Sequence, residues 1–417
     1  MSDAQAGGFT AFHSFDFRLV FTGRVLSATG EAMLQIAVGW EMWRVTADPF
    51  VLGLIGLSLF LPNLVFFLPA GIVADRYPRR LVLIGSYAVQ TTGAILLALV
   101  FATGQPPVAL VLPVLFLVGT GRTFAAPANQ ALVPNVVPAE HFPNALAWTN
   151  ATYELSVIVG PMIGGTLLFA GAPLVCGLVS VALLSNTLCM SLLRTRSQVL
   201  SSEPVRWSTV LAGLAYIRRR QIILGAVTLD LFAVLLGGAT ALLPAYATDI
   251  LGIGEVGLGL LRSSLAVGAL ICGFFIIRLP VRRHAGRKLL LTVGVFGVAI
   301  LVFGLSHTVW VSVIALAVAG AADMVSVYIR QTLIQLATPD EMRGRVSAVT
   351  MMFVGASNEL GEFRAGSVAA LIGIVASVVL GGVGTVAIAA LWAVLFPQLR
   401  RVDRLEASAL GEDRTKA

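Results

Sequence analysis

Asn129-Gln130-Ala131-Leu132, with Pro138-Ala139-Glu140 after it, returns later in the chain as Arg330-Gln331-Thr332-Leu333 with Pro339-Asp340-Glu341. The offset is the same for both pairs (331 − 130 = 339 − 138 = 201), and it also sets Ala147 on Ala348 and Gly160 on Gly361. The matched stretches run from Gly119 to Gly165 and from Gly320 to Gly366. The chain therefore reads as a duplication, and positions where the copies differ point to function. Arg122 falls on Asp323, and Pro161 is replaced by Glu362.

Working outward, 57% of the 417 residues are hydrophobic and only 12% charged, against about 25% charge in ordinary soluble domains. That excludes a soluble domain and implies an all-α, polytopic membrane protein. A spanning helix needs about 20 mostly apolar residues. Runs of that kind occupy 19–44, 51–74, 81–103, 108–130, 142–169 and 173–194, then 222–248, 256–278, 288–306, 309–331, 346–372 and 374–397. The expectation is twelve spans in two six-helix halves. The first run carries Arg24 and Glu31 and follows a mixed polar start, so it reads as a retained helix rather than a secretory leader.

The formal charge of +7 is a topology signal. The basic residues lie in one set of loops: Arg76, Arg79 and Arg80; Arg194, Arg196, Arg206 and Arg218 to Arg220; Arg278, Arg282, Arg283, Arg287 and Lys288; Arg343 and Arg345; Arg400, Arg401 and Arg404. The opposite loops offer little beyond Arg44. By the positive-inside rule both termini are expected in the cytoplasm, as in a multi-pass protein of the cell inner membrane. Lipid bilayer, not nucleic acid, is the implied partner. Cys176, Cys189 and Cys272 lie in apolar runs without paired spacing, which implies neither disulfides nor a metal site.

The expected organisation is an N-terminal half over 1–194, a cytoplasmic linker over 195–220, a C-terminal half over 221–399 and a tail over 400–417. Trp207 to Ile217, followed by three arginines, is an amphipathic piece suited to the inner membrane surface. Duplicated halves are one way transporters achieve alternating access, with the site near the midplane. No GxxxxGK[ST] phosphate loop exists in the chain, so an ion gradient is the expected energy source. No catalytic constellation can be assembled, and an enzyme is not expected.

Charges inside the spans are the next pointer, because each costs about 2.5–3.5 kcal/mol on insertion scales and usually faces a cavity or a partner. They are Glu31, Arg122, Glu154, Asp230, Arg262, Asp323, Glu359 and Glu362. Glu359 and Glu362 are three apart and share a helix face. Arg364 is near enough in sequence to neutralise one of them, so the pair reads equally as proton carrier or as structural group. Asp230 and Asp323 are the weaker candidates for proton coupling.

Gly71-Ile72-Val73-Ala74-Asp75-Arg76-Tyr77-Pro78-Arg79-Arg80 lies between the second and third spans. It resembles the GxxADRxxRR loop motif of the major facilitator superfamily. The resemblance implies a conformational latch that holds the outward-open state: Gly71 allows two helices to approach, while Asp75 sits near a helix N-terminus and pairs with an arginine across the halves. In the second half the matching loop, with Arg287-Lys288 on Arg79-Arg80, lacks the acidic member. Ser156, Gly160, Pro161, Gly164 and Gly165 resemble the fifth-helix motif of proton-coupled exporters in that superfamily, with Ser156 where glycine is usual. Close helix packing is the alternative reading. Arg122 resembles a fourth-helix arginine of proton-coupled members, and the fold implies that it meets Glu31.

Ala74-Asp75-Arg76-Tyr77, Leu243-Pro244-Ala245-Tyr246 and Ala337-Thr338-Pro339-Asp340-Glu341-Met342-Arg343-Gly344-Arg345 resemble the branch that holds enterobactin-type siderophore exporters. That branch also holds drug and lysophospholipid carriers. The implied function is a proton-coupled exporter, an antiporter of a small amphipathic compound such as a siderophore or drug. It needs no cofactor and acts as a monomer on small-molecule substrate and protons. A lysophospholipid or metabolite facilitator is one alternative, and a receptor or scaffold that has lost transport is another.

Overall fold

In membrane hydrocarbon every backbone N–H and C=O must find a partner within the protein, which leaves helices as the simplest solution for these apolar runs. The computed structural model describes residues 9–194, 207–279 and 283–403. The stretch 195–206 with Arg196 and Arg206, the loop residue Arg282 and the terminal stretch 404–417 with Arg404 lie outside the described residues.

The first six long helices are α1 (Phe15–Thr46), α2 (Pro49–Arg76), α3 (Arg79–Phe101), α4 (Val108–Val136), α5 (Phe142–Leu167) and α6 (Ala172–Ser191). A short helix, α7 (Trp207–Arg219), precedes α8 (Gln221–Gly237), α9 (Gly254–Arg278), α10 (Ala285–Leu305), α11 (Val309–Ala337), α12 (Asp340–Ile372) and α13 (Ile374–Leu395). A last short helix, α14, covers Pro397–Arg401. The helices follow the expected spans with shifted ends: α4 runs on to Val136 and α11 to Ala337, past the expected 130 and 331, whereas α8 stops at Gly237, short of the expected 248.

Helices α1 and α3 to α6, with α2 from Ser58 onward, form one compact unit, while α7 to α14 form a second together with Ala47–Leu57. The two units repeat one packing scheme. In the first, α1 packs on α5 and α6, and α3 packs on α4 and α6. In the second, α8 packs on α12 and α13, and α10 packs on α11 and α13. The repeat seen in the sequence is thus a repeat of helix neighbours.

The aligned glycines hold equivalent crossings. A Cβ on Gly160 would sit 2.6 Å from Ala32 Cβ and 3.0 Å from the Thr29 carbonyl oxygen, and one on Gly361 would sit 2.8 Å from the Val234 oxygen. These are the α1–α5 and α8–α12 contacts. Likewise a Cβ on Gly119 would lie 2.5 Å from the Leu59 oxygen, and one on Gly320 would overlap the Leu265 carbonyl. Small residues let backbones approach where lipid provides no hydrophobic drive for association.

Ten helical stretches are long and apolar enough to cross a membrane among the described residues. The two other long helices, α1 and α12, are the most heavily charged. They carry Glu31 and the Glu359/Glu362 pair respectively.

Asp230 on α8 and Arg330 on α11 form an ion pair whose side chains are only 9% and 3% exposed. It sits beside an apolar cluster of Ala226, Leu229, Ile329, Leu333 and Trp392. In the sequence Arg330 stands at the end of the 309–331 run, far from Asp230. Burial removes both charges from water, so each depends on the other.

Gly320→Ala is expected to destabilise the protein by about 1–3 kcal/mol, the usual cost of overpacking. Gly344→Ala, where a Cβ meets open space, is expected to be neutral or slightly stabilising; thermal unfolding in detergent compares the two. Arg330→Met alone strands Asp230 and should cost about 3–5 kcal/mol, whereas Asp230→Leu with Arg330→Met should recover most of that loss. Equal losses in the single and double variants would show that the ion pair is not what holds this corner.

Candidate functional site

In the first unit, Arg122 Nε on α4 lies 3.4 Å from Glu31 Oε2 on α1, and the two side chains are 37% and 27% exposed. The carboxylate is therefore paired and also accessible. Close by, α1 meets α5 through Thr29 Oγ1 and Ser156 Oγ, 3.1 Å apart. Gly164 lies against Met33, and Pro161 and Gly165 are buried in the same helix. The exporter-like stretch therefore forms the seat on which the helix bearing Glu31 rests. Glu154 lies on the exposed side of α5 and joins no ion pair among the described residues.

In the second unit the local cause of the site is a break in α8. After Gly237 and Gly238 the helix stops, and the chain resumes with a tight turn at Thr240–Leu242, one α-turn at Leu243–Ala245 and a wide π-turn at Tyr246–Ile250. Pro244 has no N–H to donate and favours such an interruption. The break delivers Thr240, whose Oγ1 donates to Glu362 Oε1 at 2.7 Å. Arg262 Nη1 on α9 stands 3.9 Å from the same oxygen, with the two side chains 26% and 23% exposed. Glu359 shares the face: a Cβ on Gly56 would lie 3.0 Å from Glu362 Oε2 and 3.4 Å from Glu359 Oε2.

Among the described residues Arg364 forms no ion pair with either glutamate. Its Nη2 donates to the Leu236 carbonyl at 2.6 Å and lies 3.5 Å from the Gly238 oxygen. The break in α8 frees carbonyls, and this guanidinium meets them. Arg262, from another helix, is the cation on Glu362, a contact that sequence proximity could not suggest. Asp323 lies on α11 with an exposed side chain and joins no ion pair among the described residues. Asp230 is withdrawn into its pair with Arg330.

The loop stretch 71–80 is used differently from the expectation at two points. Among the described residues a Cβ on Gly71 would find nothing within 4 Å, and the residue is partly exposed. Arg79 donates to the Ala131 carbonyl at 2.7 Å, and Arg80 donates to the carbonyls of Leu193, at 2.7 Å, and Ser191. The Ser191 and Leu193 carbonyls lie at and past the end of α6, where no further turn bonds them, while Ala131 lies in the last two turns of α4. Asp75 is half-buried, and Arg76 is exposed.

The second unit closes its matching corner from the chain end. Asp403 accepts from the His284 N–H at 2.9 Å through its carboxylate, and from the Ala285 N–H at 3.1 Å through its carbonyl. A residue far along the chain thus accepts from the backbone N–H groups at the start of α10.

Two sites with the same composition result, each a carboxylate set on a charged spanning helix and faced by an arginine from a neighbour. Neither assembles a nucleophile with a base. What such a site can do is trade an arginine contact for a proton or for a polar group of a ligand.

The family model described as transmembrane secretion effector matches residues 6–414. The chain is similar to macrolide efflux protein A of Streptococcus pyogenes, 24% identical over 407 residues, covering 94% of this chain and 97% of that protein. It is also similar to the enterobactin exporter EntS of Citrobacter koseri, 27% identical over 394 residues and 92% of each chain. Its fold matches the crystal structure of a bacterial homologue of the human lysosomal transporter Spinster with a TM-score of 0.71 at 12% identity, over 98% of this chain and 99% of that one. From its helices, its internal repeat and these matches, the chain is a multi-span membrane protein that belongs to the major facilitator superfamily, in the family of transmembrane secretion effectors.

Proposed function

We propose that the protein is a proton-coupled exporter of a small amphipathic compound of the siderophore or macrolide kind. It works as a monomer in the cell inner membrane with both termini in the cytoplasm, drawing on the proton gradient without a bound cofactor. The observation that carries this reading is a contrast among three ion pairs. Asp230–Arg330 is sealed, whereas Glu31–Arg122 and Glu362–Arg262 are each about a quarter or more exposed at longer separations. A sealed pair holds helices together. An accessible, loosely held carboxylate can take a proton and release its arginine, and the released arginine can then meet an anionic or polar substrate group.

The break in α8 supports the same reading, since discontinuous spanning helices are where transporters of this architecture bind substrates and ions. Export rather than uptake is favoured by the relatives, which are named for efflux and export.

The test uses everted membrane vesicles with an imposed lumen-acid gradient and two probes, a macrolide and a catecholate siderophore. Gradient-driven accumulation of at least one probe is expected, and Glu31→Gln and Glu362→Gln should each remove most of the driven component. Full driven transport in both variants would remove these residues as carriers. Accumulation indifferent to the gradient would indicate a facilitator, and saturable binding without accumulation a receptor.

A further inference from the structure

The second unit has a cluster of arginines that the transport reading does not use. α7 ends at Arg219, Arg220 makes the bend in extended conformation, and α8 begins at Gln221 with no intervening loop. Arg218, Arg219 and Arg220 are all exposed. They therefore stand at the point where polar chain gives way to the apolar run of α8, which is the level of phospholipid headgroups. Arg400 and Arg401 on α14 are also exposed and join them, because α14 packs on the start of α8: a Cβ on Gly225 would touch Phe396 at 2.8 Å and Leu399 at 3.3 Å.

Nothing within the described part of the protein neutralises this group, since none of the five arginines is in an ion pair among the described residues. The acidic residue that follows them, Asp403, is held by His284 and the start of α10. Arg220 leans on the ring of Tyr216 at 5.9 Å, and Tyr216 donates to the Ala337 carbonyl at 3.2 Å, which ties the bend to the body of the unit. On the same short helix, Ile217 and Gly213 are buried against the unit, while Leu211 and Leu214 are 58% and 40% exposed. Exposed leucines beside unpaired arginines suit a lipid rather than a soluble anion: the leucines take the acyl boundary and the guanidiniums the phosphates.

We propose that the α7–α8 bend and α14 together form a binding site for anionic phospholipid headgroups. The site lies outside the transport carboxylates, and its occupancy would anchor α7 and with it the joint between α11 and α12. The proposal does not depend on what is transported or in which direction.

The test is lipid selectivity of the full chain, read by spin-labelled phosphatidylglycerol against spin-labelled phosphatidylcholine in reconstituted membranes. The intact protein should enrich phosphatidylglycerol at its surface. Replacing Arg218, Arg219 and Arg220 by glutamine should lower that enrichment, by about fivefold per arginine in direct contact. Arg400→Gln with Arg401→Gln should lower it independently, and Arg278→Gln, a basic residue outside the cluster, should leave it unchanged. An equal fall in the Arg278 variant would reduce the effect to general surface charge and overturn the site. Competition by inorganic pyrophosphate as effective as that by the lipid would overturn it in favour of a soluble-anion site.

Discussion

A charge placed in hydrocarbon must be met by another charge or by water, and most of this structure follows from how the chain meets that demand. Among the described residues three arginine–carboxylate pairs do so, each joining two helices of one unit: Glu31 with Arg122, Asp230 with Arg330, and Glu362 with Arg262. Their environments separate their roles. Asp230–Arg330 is enclosed by the apolar cluster around Trp392 and behaves as a tie within the second unit. The other two pairs are looser and open, and their carboxylates lie on the two helices whose charge sets them apart from the ten apolar stretches. The energetic cost of those charges argues that they are kept for something other than stability.

The duplication gives the same lesson at the level of packing. Gly160 and Gly361 hold equivalent crossings, as do Gly119 and Gly320. Where the copies diverge, the chemistry diverges. The first keeps Pro161 in a well-packed seat against α1, while the second has Glu362 at that place and breaks α8 opposite it so that Thr240 can reach the carboxylate. Arg330 falls on Asn129, which donates to the Tyr87 hydroxyl at 2.8 Å. The same position thus makes a neutral hydrogen bond to α3 in one unit and an ion pair to α8 in the other. One scaffold carries two different polar interiors.

Much of the fold was legible in the sequence because apolar length, loop arginines and a constant offset of 201 are local or linear signals. The partners of the charges were less legible. Arg262 and Glu362 are far apart in the chain, and only the fold brings them together. Arg364 was the nearer cation in sequence yet serves the carbonyls freed at Gly237-Gly238, a break that the paired glycines and Pro244 signal faintly. The acid supplied by Asp403 to the start of α10 carried no linear signal at all. Gly71 carried a motif's expectation of close packing that its surroundings do not meet.

The division between exchangeable and sealed carboxylates is tested most directly by reacting the purified protein with a hydrophobic carbodiimide, which modifies protonated carboxyl groups in membranes, and mapping the adducts by peptide mass. Modification at Glu31 and at Glu362 or Glu359, rising as pH falls and suppressed by a transported ligand, with Asp230 unmodified, is the expected result. Modification of Asp230 while Glu31 and Glu362 stay unreactive would contradict it.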